Sequence, residues 1–178
     1  MKIENMLAPY RKAIIDQWFD LVVRTYPADA SGFFKGQKDP FANPVGRNTL
    51  RGLENLIDSL LADTFHESTD KFLDDIIRMR AVQGFSPEQA VGFICELKGL
   101  VRKTISGQLG DPEVLKALLD FEHKIDALML RAFGIYVDCR EKVYELKASE
   151  MRKRTFRAFE RAKLVVDDPD DRSETDKP

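Results

Sequence analysis

The region between Pro112 and Pro169 contains no proline, and Gly134 is its only glycine. Because nothing in this stretch strongly favours a turn, a single helix can continue through it. A continuous helix of about 50 residues would be roughly 75 Å long at 1.5 Å per residue, more than twice the span of a domain of this size. The sequence therefore predicts a long C-terminal helix that either bends near Gly134 or extends beyond the domain.

The composition predicts a helical domain with a substantial core. The chain has 178 residues, of which 43% are hydrophobic and 33% are charged. This length is typical of one domain, and the hydrophobic fraction suffices for a buried core. No charge-free stretch approaches the roughly 20 apolar residues of a transmembrane helix, and no apolar leader segment follows Lys2 and Glu4. We therefore expect a soluble protein.

Charge and cysteine content limit the partners and the compartment. Lysine and arginine number 28 against 30 aspartates and glutamates, which gives a net charge of -2. A nucleic acid is not an expected partner, because the chain lacks a global positive field. The two cysteines, Cys95 and Cys139, form no Cys-x-x-Cys motif. This usage is typical of a reducing compartment, and we predict a cytoplasmic location.

Three prolines mark helix starts, because each follows a residue that caps helices well. The pairs are Asn43-Pro44, Ser86-Pro87 and Asp111-Pro112. Proline is well suited to the first helical position, where its missing N–H costs nothing. Gln89 follows Ser86 at the spacing of a capping box.

Apolar residues recur at steps of three and four along four segments before Pro112, which predicts helices there. These segments are residues 3–26, 44–64, 69–83 and 87–106. Pro9 is expected to kink the first helix, and Gly84 suits a left-handed cap after the third. With the C-terminal helix they form an all-α bundle of about five helices.

The connection before the second helix is rich in aromatic residues. Phe33, Phe34 and Phe41 lie in a loop that ends at Asn43 and is longer than most connections in compact domains. Such a loop either packs on its own core or covers a pocket or forms a partner surface. We treat these four residues as candidates for binding a ligand or partner.

The C-terminal helix carries an apolar stripe that is longer than one domain needs, and we interpret part of it as a dimer interface. The candidate interface residues are Leu128, Ala132, Ile135, Cys139, Val143 and Leu146. The pattern changes near residue 150. The predicted organisation is a helical domain over residues 1–150, a basic helical extension over 151–166 and a disordered acidic tail over 167–178.

The extension has six bases and one acid between Met151 and Lys163. The candidate basic patch comprises Arg152, Lys153, Arg154, Arg157 and Arg161. In the simplest interpretation these bases complement the dipole at a helix end. Alternatively the patch contacts RNA, anionic lipid or an acidic partner, and in the last case the chain would be a structural accessory subunit.

No sequence pattern predicts catalysis. The chain has no phosphate-binding glycine loop, no Gly-x-Ser-x-Gly motif and no His-Glu-x-x-His motif. His66 and His123 are its only histidines, and neither has a second histidine or a cysteine at a zinc-ligand spacing. We therefore predict a protein that is not an enzyme, with no metal and no cofactor.

His123 leaves alternatives open beside that of an ordinary surface residue. It could accept a phosphoryl group, although Asp126 stands where helical phosphotransfer domains usually have lysine. It could also be an axial ligand of haem in a globin-like fold. A haem-binding or other cofactor-binding sensor is therefore an alternative function.

Several short motifs, each weak alone, together resemble one family, the N-terminal domain of the RsbT co-antagonists of the RsbRD type. The motifs are Trp18-Phe19, Thr25-Tyr26-Pro27, Lys38-Asp39-Pro40-Phe41-Ala42-Asn43-Pro44-Val45-Gly46, Ile77-Arg78-Met79-Arg80-Ala81-Val82-Gln83, Phe85-Ser86-Pro87 and Asp138-Cys139-Arg140-Glu141-Lys142-Val143-Tyr144-Glu145-Leu146. The resemblance extends from about Asn5 to Arg154 and so covers most of the chain.

The resemblance implies a globin-like sensor domain that, in its better-known relatives, binds no haem and forms dimers. In those relatives the domain precedes a STAS domain in the stressosome and relays a signal along a helical linker. Here a basic helix and an acidic tail stand in that place, so we expect a stand-alone copy. The resemblance brings no catalytic residues. The expected function is a sensor or adaptor that forms a homodimer through its last helix and acts on a regulatory protein that the sequence does not name.

Overall fold

Helices form at all five places that the sequence pattern predicts. We describe residues 3–26, 43–62 and 67–162 of a computed structural model. The helices are α1 (Ile3–Leu7), α2 (Arg11–Arg24), α3 (Pro44–Ala62), α4 (Glu67–Val82), α5 (Pro87–Thr104) and α6 (Pro112–Arg161). No strand occurs within the described ranges, which confirms the all-α prediction with a long C-terminal helix.

The first predicted helix is divided at Pro9. A 3-10 turn, Ala8–Tyr10, separates α1 from α2. Proline has no N–H to donate and its ring crowds the preceding turn, which explains the interruption. The predicted kink therefore has the form of a short 3-10 segment.

All three predicted caps are present. Asn43 Oδ1 accepts a hydrogen bond from the Gly46 N–H at 2.9 Å, and Asp111 Oδ1 accepts one from the Glu113 N–H at 2.9 Å. Ser86 forms the complete capping box with Gln89, with side-chain to backbone distances of 3.2 and 3.1 Å. The starts of α3, α5 and α6 are thus fixed by local sequence.

The end of α4 is also determined locally. Gly84 has a φ of 83°, in the left-handed region that glycine adopts without strain. The Gly84 N–H donates to the Ala81 carbonyl at 3.3 Å, and the Phe85 N–H donates to the Arg80 carbonyl at 3.1 Å. These two bonds form a Schellman motif, which turns the chain into α5.

Helix α6 continues through Gly134 without a break from Pro112 to Arg161. The chain divides into two compact units, Met1–Arg140 and Glu141–Pro178. In the second unit the described helical residues are mostly exposed. The predicted boundary at residue 150 stays a prediction, and the acidic tail of residues 167–178 lies outside the described part of the chain.

The first unit contains a hydrophobic core to which every helix from α1 to α6 contributes. Trp18 is fully buried, and its Nε1–H donates to the Phe93 carbonyl at 2.6 Å. Other side chains with no exposed surface are Leu7, Leu53, Leu56, Ile57, Leu73, Ile77, Ile94, Phe121 and Ile125. Burial of this many large apolar side chains is the main stabilising contribution to the unit.

Ion pairs fix the N-terminal half of α6 against the other helices. The pairs are Lys124–Glu4 at 3.0 Å, Lys98–Asp126 at 2.6 Å and Arg102–Glu122 at 2.5 Å. The carboxylate of Glu122 is buried, and it accepts both bonds of the Arg102 fork. Bidentate geometry of this kind specifies how α6 is oriented on α5.

No helix in residues 3–26, 43–62 and 67–162 is both long enough and apolar enough to span a membrane.

Candidate functional site

Residues from separate sequence motifs meet around the side chain of Arg80, near the end of α4. Arg80 has no exposed surface although it carries a charge. Its neighbours come from the end of α2, from the turn after α4 and from the start of α5. An arginine is rarely buried completely in a folded protein, so this position indicates a specific role.

The guanidinium of Arg80 joins two helix termini by hydrogen bonds. Nη1 donates to the Gln89 carbonyl at 2.7 Å, in the first turn of α5. Nη2 donates to the Thr25 hydroxyl at 3.1 Å and to the Val22 carbonyl at 3.3 Å, at the end of α2. Nε–H has no acceptor among the described residues.

Three aromatic rings surround the same guanidinium. Its central carbon lies 5.2 Å from the ring centres of Tyr26 and Phe85 and 4.9 Å from that of Phe93. Tyr26 and Phe85 meet edge to face with their centres 5.0 Å apart. We call Arg80 with these three rings the arginine cage. The ring faces attract the cation, which offsets part of the cost of its burial.

The arginine cage contains a cation without a carboxylate among the partners described above. Burial lowers the pKa of Arg80 from its ordinary value, and the nearby Tyr26 opposes this shift. The carbonyl groups at the end of α2 carry the negative end of that helix dipole, so they favour a cation here. The cage positions the end of α2 and the start of α5 relative to α4, and nothing in it resembles a nucleophile with its base.

The turn after α4 also contacts α6. Tyr136 donates from its hydroxyl to the Phe85 carbonyl at 2.8 Å, and Arg140 Nη1 donates to the Ala81 carbonyl at 3.0 Å. The segment that supplies Arg80 and Phe85 is thus bonded directly to the long helix. A displacement of this turn would therefore be transmitted to α6 through these two hydrogen bonds.

A surface groove lies between α3 and α4. Its volume is about 580 Å³, within the range typical of small-molecule sites. It is lined by Pro44, Val45, Asn48, Thr49 and Arg51 of α3 and by Lys71, Phe72, Asp75, Ile76 and Met79 of α4. Polar and apolar side chains share the walls, and the Arg51 guanidinium stands 5.6 Å from the centre of the Phe72 ring.

Only one of the four predicted loop residues lies in the described part of the chain. Phe33, Phe34 and Phe41 lie outside it. Asn43 is buried at 5% exposure, where it caps α3, and the adjacent Pro44 lines the groove. The role of the loop in binding stays a prediction.

The six predicted dimer residues do not share one exposed face. Leu128, Ala132 and Cys139 are buried in the core of the first unit, and Ile135 is half-buried against it. The remaining two belong to the second unit, where Val143 is half-buried and Leu146 is 71% exposed. The three buried residues are already covered by their own chain.

The five residues of the predicted basic patch are all exposed on the second unit. These are Arg152, Lys153, Arg154, Arg157 and Arg161. The same unit also exposes the large apolar side chains of Tyr144, Met151, Phe156 and Phe159 to about half or more of their area. A helix with exposed apolar and exposed basic residues is suited to contact another molecule.

His123 is exposed on α6, on the side of the helix that faces away from Phe121 and Ile125. Its ring therefore does not enter the core. The described ranges contain no buried histidine that would support the haem hypothesis. Those ranges also contain no group of three or more His, Cys, Asp or Glu side chains that could hold a metal ion.

Arg80 lies in one of the family motifs, and the motif alone does not mark it as a site residue. A signal was present, because Arg80 follows the buried residues Ile76 and Ile77 at helical steps of four and three. This spacing places Arg80 on the core side of α4. A charged residue at a core position of an amphipathic helix is an exception that can be found from the pattern alone.

The helices and the arginine cage define an all-α domain with a long C-terminal helix and a polar site enclosed by aromatic rings. Residues 12–151 match the family described as the RsbT co-antagonist protein rsbRD N-terminal domain, and the chain belongs to this family. It is also 27% identical over 143 residues to an uncharacterized protein of Archaeoglobus fulgidus, a match that covers 79% of this chain and 83% of the relative. No solved structure matches the chain, so the globin-like topology stays a prediction.

Proposed function

We propose that this protein is a cytoplasmic signalling domain related to those of the stressosome, and that it works by binding and not by catalysis. The observation that carries the proposal is the family match over residues 12–151, which includes every residue of the arginine cage. In this proposal the first unit receives the signal, and α6 passes it to a protein partner.

The contacts of α4 supply a route for the signal. One part of α4 lines the groove, and its C-terminal end carries Arg80 and bonds to α6 through Ala81. A change in the groove that rotates or shifts α4 would alter both the cage and the bond to Arg140. Helix shifts of this kind are a common means of signal transfer in proteins.

We further propose that two copies associate through the second unit. Tyr144, Met151 and Ala158 recur every seven residues, with Ala148 and Thr155 at the intermediate positions. We call these five residues the heptad seam. A heptad pattern is typical of paired helices, and most helical stability in proteins comes from the packing of an apolar face. A second copy would cover the seam and stabilise the helix.

This proposal keeps the predicted homodimer and places its contacts at the heptad seam, whose residues are exposed. Leu146 of the predicted interface lies on another side of the same helix and serves as a matched comparison. We expect the wild-type chain to have about twice the monomer mass of 20.4 kDa in light scattering at micromolar concentration. Met151→Glu should give the monomer mass, because it places facing carboxylates in the seam, whereas Leu146→Glu should leave the dimer intact.

Two results would contradict the dimer proposal. A wild-type chain that stays monomeric up to high micromolar concentration would remove it. If Leu146→Glu dissociates the dimer and Met151→Glu does not, the contact uses the predicted stripe and not the heptad seam.

A second candidate function rests on the basic patch. Five bases and a single acid, Glu160, lie on exposed helix between Met151 and Ala162. This surface is suited to an acidic protein, for which the chain would be an accessory subunit. Changing Arg152, Arg154 and Arg157 together to Glu should abolish capture of an acidic partner in a pull-down, and unchanged capture would exclude this function.

A further inference from the structure

The groove between α3 and α4 has the size, the charge and the wall composition of a site for a small organic acid. We propose that it binds a monocarboxylate whose carboxyl group is attached to an apolar body. Only the idea that this ligand acts as a signal rests on the proposed function. Binding itself can be tested separately.

The shape of the groove follows from the packing of its two helices. At Gly52 the helices approach so closely that an added Cβ would lie 2.5 Å from Ile76 Cδ1. All five α3 residues that line the groove precede Gly52. The groove therefore lies beside a tight helix contact, which gives it a wall that is fixed by the fold and does not depend on a ligand.

The charged groups of the groove favour an anion. Arg51 and Lys71 contribute two positive charges and Asp75 one negative charge, so the lining has a net charge of +1. No ion pair joins either base to another described residue. The planar fork of an arginine matches a carboxylate by two parallel hydrogen bonds.

Arg51 contacts an aromatic ring of the groove. Its guanidinium lies over Phe72, with its central carbon 5.6 Å from the ring centre. Stacking on a ring leaves the N–H groups of the fork free to donate to an anion. A guanidinium that is positioned before binding loses less entropy when the ligand arrives.

The remaining lining explains why an apolar body is expected next to the carboxylate. Val45, Phe72, Ile76 and Met79 provide an apolar surface, and Ile76 is almost fully buried. Asn48 and Thr49 add polar groups on the α3 side. A fully polar anion such as phosphate would leave the apolar part uncovered, whereas an aryl or alkyl acid would cover it.

The test uses the full chain and two probe acids, phenylacetate and octanoate, with phenylacetamide as the neutral counterpart of the first. We expect saturable binding of at least one acid in a protein-observed NMR titration, with shifts concentrated in α3 and α4. The amide should bind at least tenfold more weakly, since it cannot form the charged pair with Arg51.

Substitutions identify the site. Arg51→Gln should weaken acid binding at least tenfold, and Lys71→Gln should also weaken it. Arg47→Gln is the matched control, because Arg47 is exposed on the same helix and does not line the groove. All three positions are on the surface, so each variant is expected to fold, which circular dichroism verifies.

Three results would overturn the proposal: no binding of either acid at millimolar concentration, equal binding of the amide, or an equal effect of Arg47→Gln and Arg51→Gln. The outcome is separate from that of the dimer experiment. A monomeric chain that binds an acid would support the groove proposal and contradict the dimer proposal. A dimer that binds neither acid would support the dimer proposal and contradict the groove proposal.

Discussion

The guanidinium of Arg80 exchanges water for three oxygen acceptors and three aromatic rings. No carboxylate is among these partners, so the acceptors and the rings together must offset the cost of burying the charge. The acceptors belong to two helix termini, the end of α2 and the first turn of α5. Loss of the guanidinium would remove buried, charge-assisted hydrogen bonds to the carbonyls of Gln89 and Val22, and such bonds contribute more than neutral ones. The Val22 carbonyl would keep its bonds from the Thr25 N–H and hydroxyl.

We predict that Arg80→Met lowers the free energy of unfolding by about 2 kcal/mol. The substitution keeps the length of the side chain and removes the charge, so it separates the lost hydrogen bonds from the loss of volume. Urea denaturation followed by circular dichroism measures the effect.

Arg78→Met, two residues away, is the control for this prediction. Arg78 pairs with Asp74 at 2.5 Å on a partly exposed part of α4, with 42% of its side chain accessible. Surface pairs contribute little, so the change should be less than about 1 kcal/mol. Equal stability of Arg80→Met and wild type would show that the cage does not stabilise the fold.

The helix caps could be predicted from the sequence and the arginine cage could not, because their partners lie at different distances along the chain. The side chains of Asn43 and Ser86 bond to groups three residues along the chain, so their function could be read from neighbouring letters. The acceptors of Arg80 lie 9, 55 and 58 residues away. No local pattern specifies such contacts, so the sequence alone does not predict the arginine cage.

At the scale of elements, the contact of α3 with α4 depends on the missing side chain of Gly52. We predict that Gly52→Ala destabilises the protein by about 1–3 kcal/mol, because the new methyl group overlaps Ile76 Cδ1. Ile76→Val removes that atom. The variant that carries both Gly52→Ala and Ile76→Val should therefore lose less stability than the two single variants lose in sum. A double-mutant cycle measures this difference.

Gly99→Ala is the control for the helix propensity of alanine. A Cβ at Gly99 of α5 would meet no atom within 4 Å. This variant should be more stable than wild type by about 0.5–1 kcal/mol. A stabilising effect of the same size at Gly52 would contradict the close contact.

Helix α6 shows the limit of periodicity as a predictor. The spacing of Leu128, Ala132 and Cys139 correctly indicated one apolar face, but the same spacing serves a core and a dimer interface equally well. All three residues lie in the core of their own chain. The sequence predicts a long helix and leaves open a bend near Gly134, whereas the helix is continuous from Pro112 to Arg161. One glycine lowers the stability of a helix without ending it.

At the scale of the whole molecule, the buried residues of the described chain all precede Glu141. We predict that a chain of residues 1–140 unfolds in one cooperative urea transition and is monomeric in light scattering. The core is retained and the heptad seam is lost. Tryptophan fluorescence and circular dichroism should report the same transition, as expected for two-state unfolding.

A chain of residues 1–111 is the comparison. It lacks α6 and thereby the fully buried side chains of Phe121 and Ile125, so it should not unfold cooperatively. If residues 1–140 behave like residues 1–111, the first unit depends on residues beyond Arg140. If residues 1–140 remain dimeric, the association does not use the heptad seam.

Trp18 is the only tryptophan of the chain. Its indole lies 6.0 Å from the ring of Phe93, which is also the ring nearest to the guanidinium of Arg80. Excitation at wavelengths that tyrosine does not absorb therefore reports Trp18 alone, and Trp18 contacts the ring that lies against the buried cation. A change in the packing of α2 on α5 should shift the emission maximum of Trp18. The protein thus contains an intrinsic fluorescent probe at the place where the family motifs meet.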